Sequence, residues 1–437
     1  MTVNKVFMNV DIITRFSALI FVAGIAFCSC ELFPPSFEEY VKPIRSDPLF
    51  VNNVVPPGLN LTDSSTNYGP FRSYLKLTVP KLIEYHGYKA EIHHVTTKDG
   101  YILEIHRICG NQKFNSSQKN KPVVYLQHGI LTSSMEWVLS GPGKGLGFLL
   151  ADAGYDVWMG NSRGNTYSRN HKSLSPNYSD FWKFDWHEMG MYDLPASIDY
   201  ILSQTKRKKL IYVGFSQGTT SYFVMTSSRP EYNDKIEAMF ALAPVAYCSH
   251  MYSPILKYLA DYEFFLKPLI YLFLGFKGEF QPSNDFFRLF GSLLCHGASI
   301  FQPVCLNTFF LIVGYDWTEF DATLMPHILN HIPAGASIHQ LTHFAQLISK
   351  GDFRQIDSGP KYDLQKISSK IFLYHSKNDW ISSVSDVEKL SANLPNLQQR
   401  FLVSYDHFNH IDFLWSKHVK ELLYDKVMKD MSQFVSG

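Results

Sequence analysis

Several things are scarce in these 437 residues. Charge occupies only 18% of positions and nearly cancels, since 40 Lys and Arg face 39 Asp and Glu for a formal net charge of +1. No global field is available to draw in a polyanion, so nucleic acid is not an expected partner. Cysteine is rare, with six in the chain, and no Cys-x-x-Cys occurs. Nor does any His-x-x-x-His stand beside further ligands, despite 17 His, so neither a metal nor another cofactor is expected. No internal repeat is present. Low hydrophobicity is absent too: 46% of residues are hydrophobic, which excludes an intrinsically disordered chain. What the chain has in abundance is aromatic residues, 7 Trp, 25 Tyr and 34 Phe, or 15% of the total.

The first thirty residues read as a secretory signal peptide. Lys5 and Arg15 precede an uncharged apolar run from Phe16 to Phe27, and small residues follow in Ala26-Phe27-Cys28-Ser29-Cys30. The run is short for a hydrocarbon core of about 30 Å, so a cleaved signal is expected over an uncleaved anchor, with the mature chain starting near Glu31. That leaves Cys109, Cys248, Cys295 and Cys305 for an oxidising compartment. Cys295 and Cys305, close together in one apolar segment, are the expected disulfide; Cys109 and Cys248 are buried free thiols or a second bridge. Sequons at Asn60, Asn115 and Asn177 are candidate glycosylation sites in that pathway.

From residue 31 to 80 eight prolines and little periodicity mark an irregular arm or removable pro-segment. Thereafter short apolar runs alternate with helical patterns: Val123–Leu126, Tyr155–Met159, Leu210–Val213, Ala238–Leu242, Ile371–Tyr374 and Arg400–Val403. Near-continuous apolar strands separated by helices predict a mostly parallel sheet covered on both faces. The rhythm stops between residues 247 and 362, where the chain turns Phe-rich and helical, then resumes. The predicted organisation is an α/β core in two parts, 81–246 and 363–437, with residues 247–362 inserted as a helical cap. Lys257, Asp261, Glu263, Lys267 and Pro268 interrupt the inserted segment too often for a membrane-spanning helix.

Gly214-Phe215-Ser216-Gln217-Gly218 follows a predicted strand and precedes a predicted helix. In that context a Gly-x-Ser-x-Gly turn raises the serine on a tight strand-to-helix bend, with glycines where a Cβ would clash. A serine hydroxyl needs a base, and the base an orienting acid. In α/β-hydrolases the order along the chain is Ser, acid, His. Asp379, just past the strand Ile371–Tyr374, is the candidate acid; Asp386 reads as a first-turn helix residue. His410, just before an apolar helical stretch at Ile411–Trp415, is the candidate base, ahead of its neighbour His407. Two backbone amides are needed to meet the oxyanion, each worth about 3 kcal/mol. They are expected from Gln217 and from Ile130, in the loop Gln127-His128-Gly129-Ile130-Leu131 after Val123–Leu126.

These residues resemble the acid lipase family, the gastric and lysosomal acid lipases and their insect relatives. The resemblance runs from about Ile83 to the C-terminus. It rests on Gly100–Leu103, Leu126–Leu131, Gly160–Ser168, Tyr192–Ala196, Gly214–Gly218, His331–Gly335 and Phe408–Phe413. It implies an α/β-hydrolase fold with a mobile lid in the cap, Ser216 as nucleophile, Asp379 as acid and His410 as base. It also implies the amides of Ile130 and Gln217 as oxyanion donors, and a cap disulfide between Cys295 and Cys305. Trp186-His187 before Glu188, Ile130 in place of Leu, and the longer proline-rich arm depart from the family pattern.

The expected activity is therefore hydrolysis of fatty-acyl esters of neutral lipids, triacylglycerol or cholesteryl ester, by a monomer at a lipid–water interface. Secretion or delivery to lysosomes is the expected destination. A carboxylesterase of short soluble esters and a non-catalytic lipid binder are the alternatives. Arg163 is expected to be structural, the run Lys206–Lys209 a solvated helix end, and the stripe Phe264–Phe276 either cap core or an acyl-facing surface.

Overall fold

The computed structural model describes Tyr74 and residues 76–111, 121–261, 278–280 and 309–435. The signal segment, nearly all of the arm, Asn60, Asn115, Phe264–Phe276, Cys295 and Cys305 lie outside the described residues. At the arm's end, helix α1 (Val79–Tyr85) begins with Pro80 in its first turn and buries Val79, Pro80, Leu82 and Ile83. The boundary drawn at residue 80 therefore cuts a helix that belongs to the core, because Val79 and Pro80 are part of its apolar face.

Among the described residues the strands are β1 (Tyr88–Thr96), β2 (Tyr101–Asn111), β3 (Val123–Gln127), β4 (Asp156–Met159), β5 (Asn170–His171), β6 (Leu210–Phe215), β7 (Ile236–Leu242), β8 (Glu279–Phe280), β9 (Ala336–Ser337), β10 (Lys370–His375) and β11 (Leu397–Leu402). They form a nine-stranded sheet in the order β1-β2-β4-β3-β6-β7-β10-β11 with β5 on β2, and β8 pairs with β9 alone. From β4 to β11 every pairing is parallel, whereas β1 and β2 are antiparallel to each other and β2 to β4. The hairpin β1–β2 was not among the predicted strands; its signal is the turn residue pair Asp99-Gly100, with Gly100 at φ 102°.

Alternation within the parallel strands explains their continuous apolar runs. Val124, Leu126, Ile211, Val213, Phe240 and Tyr374 enter one buried cluster, whereas Val123, Tyr125, Tyr212, Met239, Ala241 and Leu373 enter another. Odd and even residues thus feed two cores, one on each face. The predicted strand Arg400–Val403 is shifted: β11 is Leu397–Leu402 and alternates partly buried with exposed residues, because it is the sheet edge.

Among the described residues the further α-helices of four or more residues are α2 (Leu146–Asp152), α3 (Leu194–Thr205), α4 (Gln217–Ser228), α5 (Pro254–Asp261), α6 (Met325–His331), α7 (Ile338–Lys350), α8 (Val384–Ala392), α9 (Asp412–Trp415) and α10 (Asp425–Ser432). Part of the segment assigned to the cap is core instead. Phe310, Val313, Phe320, Met325 and Ile328 are buried in the same cluster as β3 and β7. Among the described residues no helix is long and apolar enough to cross a membrane.

Candidate active site

The carboxyl ends of β3, β6 and β10 meet at one place, where ligands collect in parallel α/β sheets. Ser216 stands between β6 and α4 with φ 51° and ψ −119°. Neighbouring glycines make this bend possible. A Cβ on Gly218 would lie 2.3 Å from the carbonyl oxygen of Gln127, and one on Gly214 would lie 3.0 Å from the backbone of Gly218 and Thr219. The predicted need for glycine at both positions is thus a matter of backbone contact.

Three side chains from separate loops come together. His410 Nε2 is 2.9 Å from Ser216 Oγ, and His410 Nδ1 lies 2.8 Å from Asp379 Oδ2 and 3.0 Å from Oδ1. The Asp379 carboxylate is fully buried and also accepts the amides of Ile381 and Ser382 at 2.9 and 2.8 Å. His407 stays out of this chain; its backbone carbonyl accepts from Asn378 Nδ2. Asp386 takes the predicted helix role, in the first turn of α8 and bonded to its cap Ser383 and to His250.

Gln217 opens α4, so its amide has no acceptor in a preceding turn of helix. Ile130 lies between two anchored neighbours. The Gly129 amide donates to Glu136 at 3.3 Å, and Leu131, at φ 62°, accepts from the Ala334 amide at 2.7 Å. His128 supports the loop from below: its Nε2 accepts the Ser162 amide at 2.9 Å, so the proton sits on Nδ1, 2.7 Å from Gly129 O. Burial pushes His128 down to about 4, which keeps it neutral.

Residues 79–141 match the family described as the partial alpha/beta-hydrolase lipase region, and residues 122–417 match the alpha/beta hydrolase fold. Lipase 3 of Drosophila melanogaster is 44% identical over 80% of this chain and 92% of its own length. The chain belongs to the acid lipase family. This acid lipase is accordingly a carboxylic ester hydrolase on the α/β-hydrolase fold. Lipase 1 of the same fly is 40% identical over 83% of this chain and 81% of its own, and gastric triacylglycerol lipase of Rattus norvegicus is 34% identical over 84% and 94%.

Sequence reasoning passed over several residues of this lipase's site. Glu136 carries no motif, yet it is buried against the Ile130 loop, with Oε2 2.5 Å from Thr132 Oγ1. Gln340 of α7 accepts the Ser337 amide as part of a capping box and donates to Gln217 Oε1 at 2.9 Å. The Ser337-to-Gln340 spacing was a legible cap signal; the reach to Gln217 was not. Among the described residues no group of three or more His, Cys, Asp or Glu could hold a metal ion. Cys109 and Cys248 are both free thiols, so the second bridge is not formed. Burial pushes the Cys109 thiol up to about 12, helped by its bond to Glu91.

Proposed function

We propose that the protein cleaves fatty-acyl esters of neutral lipids, triacylglycerol or cholesteryl ester, through an acyl-enzyme on Ser216. The observation that carries this reading is the hydrogen-bonded chain from Asp379 through His410 to Ser216. His410 Nε2 takes the hydroxyl proton as Ser216 Oγ attacks the ester carbonyl, and Asp379 holds the resulting imidazolium at Nδ1. The amides of Ile130 and Gln217 receive the oxyanion. The alcohol leaves with the proton from His410, and water deprotonated by the same nitrogen then releases the fatty acid.

The lipid substrate is supported by relatives such as the gastric triacylglycerol lipases and by the aromatic-rich segment predicted to cap the site. The predicted signal segment supports entry to the secretory pathway, with export or lysosomal delivery as its end. Asn177 is exposed, as a glycan site requires. The enzyme would work as a monomer at a lipid–water interface, with Cys295–Cys305 bridging the cap.

A fluorophosphonate tests the nucleophile: it should label wild type at Ser216 and leave Ser216→Ala unlabelled. A folded but unreactive wild type overturns the reading. His410→Ala should lose more than about a thousandfold in kcat and His407→Ala less than tenfold; the reverse order exchanges their roles. An acyl-chain series, soluble to emulsified, should favour long chains. Preference for short soluble esters makes the protein a carboxylesterase.

A further inference from the structure

Residues 313–316 form a seam between the loop carrying Asp379 and the loop carrying His410. The Val313 carbonyl accepts both the Trp380 amide at 3.3 Å and the His410 amide at 3.2 Å. Asn378 Nδ2 reaches both Tyr315 O and His407 O at 2.7 Å, and Asn409 Nδ2 reaches Gly314 O at 3.0 Å. Gly314 fits only because it lacks a side chain, for a Cβ would lie 2.2 Å from Asn378 O.

Two carboxyls close this seam. Asp316, 3% exposed, accepts the Thr318 and Glu319 amides on Oδ1, at 2.8 and 2.9 Å, and the Tyr405 hydroxyl at 3.4 Å. Asp412, fully buried two residues after His410, accepts the Asn409 amide on Oδ2 at 2.7 Å. The remaining oxygens, Asp316 Oδ2 and Asp412 Oδ1, are both buried with no N–H, hydroxyl or cation donor among the described residues. The two side chains nonetheless interact directly.

We propose that Asp316 and Asp412 share a single proton between these two oxygens, and that this bond positions the His410 loop against the seam. The inference rests on the proposed role of His410 as base. Two buried acceptors facing each other without a donor repel unless a proton lies between them. The surrounding charges cannot supply one. Glu319 is a third carboxylate, paired with exposed His418 at 3.0 Å and with Ser416, and the Lys417 ammonium donates to Thr318 O. Among the described residues no cation pairs with either aspartate. Burial, followed for Asp412 by the charge of Asp316, raises the carboxyl of each above its ordinary range. As pH rises the pair loses the proton to water, and two carboxylates then push the His410 loop from the seam. Both are positioning residues, since neither touches Ser216.

The test follows the rate at which a fluorophosphonate labels Ser216 from about pH 4 to about pH 9, in wild type, Asp412→Asn and Asp316→Asn. An asparagine keeps the accepting oxygen for its backbone amides and supplies the bridging hydrogen from Nδ2 at every pH. Relative to its own maximum, the wild-type rate should fall at least about fivefold at the alkaline end, while either variant should retain most of its maximum. The acid limb should be common to all three. Variants that decline with the wild-type curve overturn the inference. The thermal midpoint reads the pair without using Ser216: it should fall with rising pH more steeply in wild type than in either variant. If Ser216 is unreactive but this difference persists, the reading of the triad has failed and the shared proton stands; equal slopes sink the shared proton alone. Should neither variant fold, the amide has failed to replace the proton and the inference is overturned.

Discussion

Glu136 shows how a single buried carboxyl can hold a backbone loop. Its side chain accepts from Gly129, one residue before the proposed oxyanion donor Ile130. Burial pushes it up to about 8, against the opposing effect of Thr132 and the Gly129 amide. The folded value lies above the unfolded one, so this group's contribution is fully present at acid pH and is lost as pH rises towards 8. Glu136→Gln should therefore flatten the decline in thermal midpoint between about pH 5 and about pH 8, measured against wild type by differential scanning calorimetry. A variant with the same slope as wild type would place the titration elsewhere. Nothing in the neighbouring residues announced Glu136, because its function depends on what the chain brings opposite it.

At the scale of elements, the strand β6, the bend at Ser216 and helix α4 act as one unit. The bend holds Ser216 in a backbone region that side-chain-bearing residues avoid, and packing on both sides keeps it there. Gly218→Ala places a Cβ against the end of β3, so it should lower stability by about 1–3 kcal/mol and slow Ser216 labelling, read by denaturant unfolding and labelling rate. This element was legible from the pentapeptide, since both glycines and the order strand, turn, helix are local properties. Helix α7 was legible only in part. Its capping box lies in Ser337 to Gln340, yet the same Gln340 also reaches Gln217, more than a hundred residues earlier.

Across the whole molecule, Arg163 joins three parts of the fold. It pairs with Asp99 in the β1–β2 turn and Asp193 before α3, both at 2.6 Å, and lies 4.1 Å over the Tyr101 ring. The expected structural role holds. Arg163→Met should destabilise the protein by about 3–5 kcal/mol, seen in the unfolding midpoint, because it strands the buried carboxylate of Asp193. Much at this scale was set by sequence alone. Near-continuous apolar runs determine the two-faced sheet, and the Gly-x-Ser-x-Gly turn, with Asp379 and His410 at loop positions after strands, marks the candidate site. Tertiary structure alone decided how those loops are fixed. Residues 309–328 looked like part of an insertion, yet Phe310 and Val313 belong to the core and Val313 joins the loops that carry Asp379 and His410. Periodicity reports which side of its own element a residue faces. It carries no record of which distant backbone amide, or which second carboxylate, that residue will meet once the chain closes.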